Sequence, residues 1–435
     1  MNNRSLKCTI IFFIAGLLFV SFPPVPSRAI TLEEAISIAL DGSYVVKEQS
    51  EIVERSRFSY ISSIDPYLPR ADIGSSYIRT ISPMTPVSTF TGDTRNATGS
   101  RDAYTFTGSV SWRIFDGGER YAKRRGAFFV WEREKERFKS VREEVLFNIT
   151  SSFYTALGTK SIVEKRKESL QSAEKIYNLT RARYEEGIVM KSALLQAEVR
   201  LLASRIDLTR AQKEYEKALE SVKSLVFFVG PGPFDVEGEL EEPAFEGDYK
   251  GLTDRALTVK PEIVAQEKEV ERFSMAYKQQ KSAWYPKIDG VLQQTRQDRH
   301  FFPEGRTDAF RINFTFPLFD GVGRYYNVQG AMSDINAAKH RLEETKRTTG
   351  LDIARALKDY ELARQDVTLY SELVREATSN FDQLYGEYME GKGDILGLLQ
   401  GEKDLASAKE GYVSSLYKAN VSLAYLKRVA YIGDR

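Results

Sequence analysis

The residues able to do chemistry are few and poorly placed for it. Three carboxylate pairs stand out, Glu143-Glu144, Glu185-Glu186 and Glu241-Glu242. General acid–base work needs two carboxyl groups converging on one reacting atom, whereas adjacent residues of a helix point in different directions. They read as solvated faces. His300 and His340 are the only histidines and Cys8 the only cysteine, which supplies no thiolate or histidine set for a metal. The reading is therefore no metal and no cofactor. Phosphate loop, nucleophile elbow and zinc signature are all missing, so no residue receives a catalytic role and the chain reads as a non-enzyme. With 62 basic against 61 acidic residues, there is no electrostatic footprint for nucleic acid. The cluster Arg120, Lys123, Arg124, Arg125 is read as a solvated or interfacial turn. What this chain does must lie in its shape.

That shape is organised around Ile114-Phe115-Asp116-Gly117-Gly118-Glu119-Arg120, which returns as Leu318-Phe319-Asp320-Gly321-Val322-Gly323-Arg324, 204 positions later. Phe-Asp-Gly is a strand exit. An apolar residue ends the strand, Asp bonds its own backbone two residues on, and Gly accepts a positive φ. After the motif the offset stays at 204, pairing Tyr184-Glu185-Glu186-Gly187 with Tyr388-Met389-Glu390-Gly391; before it the offset is 217, pairing Ala39-Leu40 with Ala256-Leu257 and Pro69 with Pro286. The difference falls in the loop between Pro69 and Phe115. The chain is a tandem repeat of one large unit.

Met1 to Ala29 reads as a secretory signal, with Arg4 and Lys7 ahead of the apolar run and Ser27-Arg28-Ala29 as the cleavage site. The alternative is an uncleaved anchor. The division is then 1–29 signal peptide, 30–229 first repeat, 230–248 a turn-rich, acidic connector outside the bundle, and 249–435 second repeat. Thr31-Leu32-Glu33-Glu34 has capping-box spacing and opens a helix expected to run to about Ile64. In the second half one helix is expected from Tyr249 to Ser282. Strands are expected over 71–79, 104–114, 287–295 and 310–318, the second alternating Tyr104, Phe106, Gly108, Val110, Trp112 and Ile114 with polar residues. Tyr121 to Glu186 and Tyr325 to Glu390 are free of proline, and helices of that length extend roughly 90–100 Å. Gly187 and Gly391 mark tight turns into return helices of about 35 residues. There Leu194, Leu201, Leu208, Tyr215 and Val222 recur every seventh position, the signature of left-handed supercoiling.

Each half thus carries one hairpin with strands of bilayer-crossing length on a tall helical pair. Four strands cannot close a barrel, and an open sheet edge is not tolerated in hydrocarbon. Three chains give about twelve strands, within the range of known barrels. Tyr77, Trp112, Phe310, Phe314 and Phe316 are the expected membrane aromatic band, with packing against neighbouring strands as the alternative. The fold class is mainly α with a small β part: a trimeric, 12-stranded β-barrel of the outer-membrane type continued by a long α-helical barrel, two tandem repeats per chain. A secreted coiled-coil scaffold or spacer is the competing reading. The alternating aromatic strands speak against it.

In its Thr31-Leu32-Glu33-Glu34-Ala35 opening, its hairpin prolines, both Phe-Asp-Gly exits and its paired Gly-x6-Leu-Leu-x-Ala/Gly turns, the chain resembles the TolC-like outer membrane efflux proteins over residues 30 to 435. The resemblance implies a passive homotrimeric duct in the outer membrane with a large periplasmic portion. It implies cargo received from an inner-membrane transporter of RND, ABC or MFS type through a periplasmic adaptor, with gating at the helical tips. It places adaptor contacts at Gly187, Ile188, Val189, Met190 and Lys191 and at Gly391, Lys392 and Gly393. The tunnel entrance falls at Ala193, Gln196, Gly397 and Gln400, none of them acidic, which departs from the family's anionic constriction. Asp394 is the one nearby acid, read either as part of that entrance or as a helix N-cap. Phe115, Asp116, Gly117, Phe319, Asp320 and Gly321 form the strand-exit turns.

Overall fold

The computed structural model describes residues 29–79, 102–228 and 234–433. The signal segment, most of the loop after the first strand and the Gly-Pro stretch of the connector lie outside the described residues. A short strand β1 (Ala29–Ile30) leads into α1 (Leu32–Gly42). The capping box forms as its spacing predicts: Thr31 Oγ1 accepts from the Glu34 amide at 3.4 Å, and Glu34 Oε2 accepts from the Thr31 amide at 3.5 Å.

The expected single helix is in fact two. Ser43 leaves helical geometry at φ −58° and ψ 118°, and its hydroxyl accepts from Val46 N–H to start α2 (Tyr44–Ser62). A 3₁₀ turn (Asp65–Tyr67) then leads to β2 (Arg70–Arg79). After β3 (Asp102–Phe115) come α3 (Glu119–Glu185), α4 (Lys191–Leu225) and the short β4 (Asp235–Val236). The second half breaks its entering helix in the same way, into α5 (Tyr249–Val259) and α6 (Pro261–Ser282). Pro261 has no N–H to give an interior helical bond but suits a first-turn position, so the chain restarts there. β5 (Lys287–Asp298), β6 (Arg306–Thr315), α7 (Gly323–Met389) and α8 (Ile395–Ala430) complete the chain. Both α3 and α7 have 67 residues, or roughly 100 Å each.

The long strands form one antiparallel sheet in the order β2-β3-β5-β6. Its register fixes what each face carries. Tyr77 lies opposite Tyr104, Val110 opposite Leu292, and Leu292 opposite Phe310, so Ile73, Phe106, Trp112, Ile312 and Phe314 share one apolar face. Thr105, Thr107, Ser109, Gln293, Thr295 and Asn313 share the other. An irregularity between Arg113 and Phe115 brings Phe115 opposite Ile288, making Phe115 the last strand residue. Phe316 was expected to continue β6, but the strand stops at Thr315. Pro317 has no amide to donate to the ladder, so Phe316 and Leu318 fall beyond the sheet.

Two mid-height cores repeat one another. Ala39, Ile149 and Val222 are fully buried in the first half, and their repeat partners Ala256, Ile353 and Leu426 in the second. The connector is woven into these cores rather than set outside them. β4 pairs in parallel with β1, Val236 is buried, and Pro243 O accepts from the Tyr360 hydroxyl at 2.8 Å. Next to the sheet the helices pack in the row α2-α3-α6-α7; towards the far end the row is α4-α3-α8-α7. Among the described residues no helix is long and apolar enough to cross a membrane.

Candidate functional site: strand exits, outer sheet face and helical tips

At the first strand exit Asp116 is buried and saturated. Its Oδ1 accepts from Gly118 N–H at 3.0 Å, the bond two residues on that the sequence implies; Oδ2 accepts from Arg120 N–H at 3.0 Å and Nε at 2.8 Å. Gly117 and Gly118 take φ of 66° and 88°. Of the two readings open for Arg120, a solvated or an interfacial turn, the solvated one fails, because its side chain is 13% exposed. Its guanidinium donates to the carbonyls of Arg113, Ile114 and Pro66 and lies over the Tyr67 ring. The strand-to-helix corner leaves those carbonyls without partners, and the arginine fills them. The second exit repeats the device more loosely. Arg324 Nε donates to Asp320 at 2.7 Å and Nη1 to Ala283 O at 3.2 Å, over Trp284, with Gly321 at φ 89° and Phe319 fully outside.

On the apolar sheet face Tyr77 and Trp112 sit near opposite ends, each with its polar atom used. Tyr77 OH donates to Asp102 at 2.7 Å and Trp112 Nε1 to Tyr67 O at 3.0 Å. Phe310 stands exposed between these levels, and Phe314 stands exposed beyond Trp112, nearer the end of β6 that leads to α7. Phe301, in the β5–β6 loop, joins this face by packing on Tyr104 and Phe106, and Phe302 packs on Phe301. Sequence reasoning missed them because a loop carries no periodicity.

The helical tips are two copies of one backbone motif. Gly187 N–H donates to Tyr184 O and Ile188 N–H to Arg183 O; Gly391 N–H donates to Tyr388 O and Lys392 N–H to Glu387 O. This double closure, with Gly187 and Gly391 at φ 75° and 74°, is the glycine-dependent way to end a helix. Ile188 and Met190 are exposed, as are Lys191 and Lys392, while Val189 and Gly393 are half-covered. Asp394 is the N-cap of α8, accepting from Leu396 N–H at 3.2 Å, with its carboxylate in solvent. Ala193 packs on the cluster of Ile176, Tyr388, Ile395 and Leu398. Gly397 faces Leu384, and Gln196 is half-covered. Gln400 is exposed and donates to Asp404 at 2.7 Å.

Two constellations near the tips were not legible in the sequence. Thr180 Oγ1 and Tyr388 OH lie 3.0 Å apart, and Arg183 donates to the carbonyls of Tyr388 and Met389, clamping the end of α7 to α3. Further along, Glu402 of α8 is buried. It accepts from Arg200 Nε of α4 at 2.5 Å and Ser169 Oγ of α3 at 2.7 Å. Its repeat counterpart Glu198 is exposed, so the duplication hides the difference.

Residues 62–226 and 252–430 match the model of the family described as "Outer membrane efflux protein". The chain belongs to the outer membrane efflux protein family. Among curated relatives this efflux-family chain is 22% identical to protein CyaE of Bordetella pertussis over 337 residues, covering 75% of this chain and 70% of that one. It is 22% identical to the probable efflux pump outer membrane protein TtgC of Pseudomonas putida over 286 residues, covering 63% of this chain but only 58% of TtgC. The solved CmeC outer membrane channel of Campylobacter jejuni superposes with a TM-score of 0.80 at 16% identity, covering 99% of this chain and 94% of that one. This chain is therefore an outer membrane efflux protein that shares the fold of the CmeC channel over nearly its whole length.

Proposed function

We propose that three copies of this chain form a passive, water-filled duct through the outer membrane. It would carry small molecules or proteins from an inner-membrane transporter of RND, ABC or MFS type, by way of a periplasmic adaptor. One observation carries this reading: every layer ends on the same two flanks. β2, α2 and α4 form one flank, β6 and α7 the other. Both sheet edges lack a strand among the described residues. Each flank also bears an exposed apolar stripe at helical spacing, Leu195, Val199, Leu202 and Ile206 on α4, and Leu362, Leu369 and Leu373 on α7. A flank that is unlike its opposite closes by head-to-tail rotation. Three copies give about twelve strands, a size that seals a barrel with polar side chains inside and aromatics outside.

In this reading the duct contains no catalytic group, and transport is driven from outside the chain. The two repeats span 30–229 and 249–435, joined by 230–248, with 1–29 removed on export. The turns at Gly187 to Lys191 and Gly391 to Gly393 meet the adaptor, and Asp394 and Gln400 border the entrance while Asp394 also caps its helix. A spacer without transport is disfavoured by the apolar outer sheet face.

The test is conductance together with assembly. Purified chain is expected as a trimer by light scattering in detergent and to conduct ions in a planar bilayer. The double substitution Leu202→Glu and Ile206→Glu is expected to abolish both while leaving helix content unchanged. A monomer without conductance would overturn the proposal.

A further inference from the structure

The outer face of the sheet holds a built recess. A cleft of about 480 Å³ opens there, lined among others by Ile73, Phe106, Gly108, Arg296, Phe301 and Phe302. The β5–β6 loop roofs it. Phe301 packs edge-on against Tyr104 and Phe106, with ring centroids 5.7 and 6.2 Å away, and Phe302 packs on Phe301 at 5.0 Å. Gly108 is its floor: a Cβ added there meets no heavy atom within 4 Å. The recess is formed by the two inner strands β3 and β5 and the loop, with Ile73 of the edge strand β2 as its side wall. It lies towards the end of the strands remote from the helices, two residues below the end of β5.

Arg296 is the unusual member. It lies opposite Phe106 in the β3–β5 register and opposite Arg306 in the β5–β6 register, which puts it on the apolar face. Among the described residues it has no hydrogen bond or ion pair. The acids around it are engaged elsewhere. Asp308 accepts from Arg306 at 2.7 Å and from Gln294 at 2.9 Å and reaches Arg296 only through space. Asp298 accepts from the amides of Arg299 and Glu304. An arginine on the lipid face of a barrel is costly near the midplane and tolerable near the interface, where its stem can lie along apolar surface. A guanidinium in that position is best satisfied by a phosphate, which it grips with two parallel bonds.

We infer that this recess binds a phosphorylated acyl lipid of the outer leaflet, with the phosphate on Arg296 and an acyl chain lying over Gly108 between Ile73 and Phe302. The inference rests on the reading that this sheet face meets lipid. The chemistry selects for an anionic headgroup above an apolar tail, which a neutral lipid or a free phosphate offers only in part.

The experiment uses delipidated full-length trimer in detergent, exposed to one of three probes: a bisphosphorylated acyl glycolipid, its dephosphorylated form, or inorganic phosphate. Retained lipid is counted by native mass spectrometry. The phosphorylated form is expected to be retained at least fivefold more than the dephosphorylated one, and inorganic phosphate not at all. Arg296→Gln is expected to reduce retention to the dephosphorylated level. Gly108→Leu, whose Cβ enters open space, is expected to fill the floor and reduce both lipids. Arg311→Gln, on the opposite face, is expected to change nothing. Equal retention of both glycolipids, an unaffected Arg296→Gln variant, or an equal loss in Arg311→Gln would overturn the inference and leave an ordinary lipid annulus. A chain that neither assembles nor conducts would instead refute the channel reading.

Discussion

Replacing Glu402 by Ala tests whether the α3–α4 hairpin is tied to α8 by a buried charge pair. The Glu402 side chain is 2% exposed and that of Arg200 13%. Deleting the carboxylate strands a guanidinium with almost no water to turn to. Removing one partner of a buried pair costs about 3–5 kcal/mol. Arg200 keeps a narrow path to solvent, which favours the lower end, and the Ser169 hydroxyl can fall back on its own helix, so about 3 kcal/mol is expected. Each 1.4 kcal/mol is a factor of ten, so local opening should become roughly 100-fold more frequent. Hydrogen exchange followed by mass spectrometry reads this directly as faster exchange in peptides spanning 165–172, 197–203 and 399–405. Substituting both Glu402 and Arg200 by Met should return exchange close to the parent level, because an apolar pair of similar volume replaces a buried ion pair with little loss. If Glu402→Ala alone exchanges within threefold of the parent, the pair does not hold these helices together. If the double Met variant is as loose as the single one, packing rather than charge is responsible.

Other outcomes follow from the same structure. Asp116→Ala should lower the apparent melting temperature more than Asp320→Ala, because Asp116 is buried with three bonds whereas Asp320 is half-exposed with one from Arg324. Burial raises the Glu143 pKa, with Glu262 adding and Arg142 and Arg428 opposing. Its folded value then lies above the unfolded one, so its stabilising contribution is present at low pH and lost as pH rises through the folded value. Glu143→Gln should therefore raise the melting temperature at neutral pH, and the gain should vanish near pH 4. Glu269 has the opposite sign. Burial pushes its pKa up, but the bonds from Arg272 and Arg133 outweigh this and the net shift is downward. Its contribution is complete above the ordinary glutamate range and disappears as pH falls through the folded value, so Glu269→Gln should destabilise at pH 7 and be neutral in strong acid. Gly158→Ala places a Cβ 2.7 Å from Tyr417 Cγ, and such overpacking between α3 and α8 should cost about 1–3 kcal/mol, relieved by adding Tyr417→Ala.

What was legible in the sequence is what local stereochemistry dictates. The capping box at Thr31 and Glu34, the glycines at 187 and 391, and the Asp116 bond to Gly118 each depend on residues within four or five positions. The alternating strands announced their faces because pleating imposes a period of two. The breaks at Ser43 and Lys260 escaped notice because one non-helical residue hardly disturbs a hydrophobic pattern, and Pro261 is tolerated at a helix start. The spacing of Phe316 fits a strand, but Pro317 ends the ladder at Thr315. The pattern around Arg120 shows only a solvated or interfacial turn, because its acceptors at Pro66, Arg113 and Ile114 are carbonyls, which no side-chain pattern reveals. The partnership of Glu402 with Arg200 and Ser169 joins positions some two hundred residues apart, and only the fold brings them together.

The two helical tips share one backbone but not one chemistry. Ile188 and Met190 put two exposed apolar side chains beside Lys191 on the first turn, whereas Lys392 and Asp394 make the second ionic. A closed circle of three copies would therefore present its rim as a two-beat rhythm, largely apolar then ionic, three times around. A docking partner with six identical grips would find only every second foothold alike, so it would have to seat in pairs of unequal subunits or read the shared glycine bend and ignore the side chains.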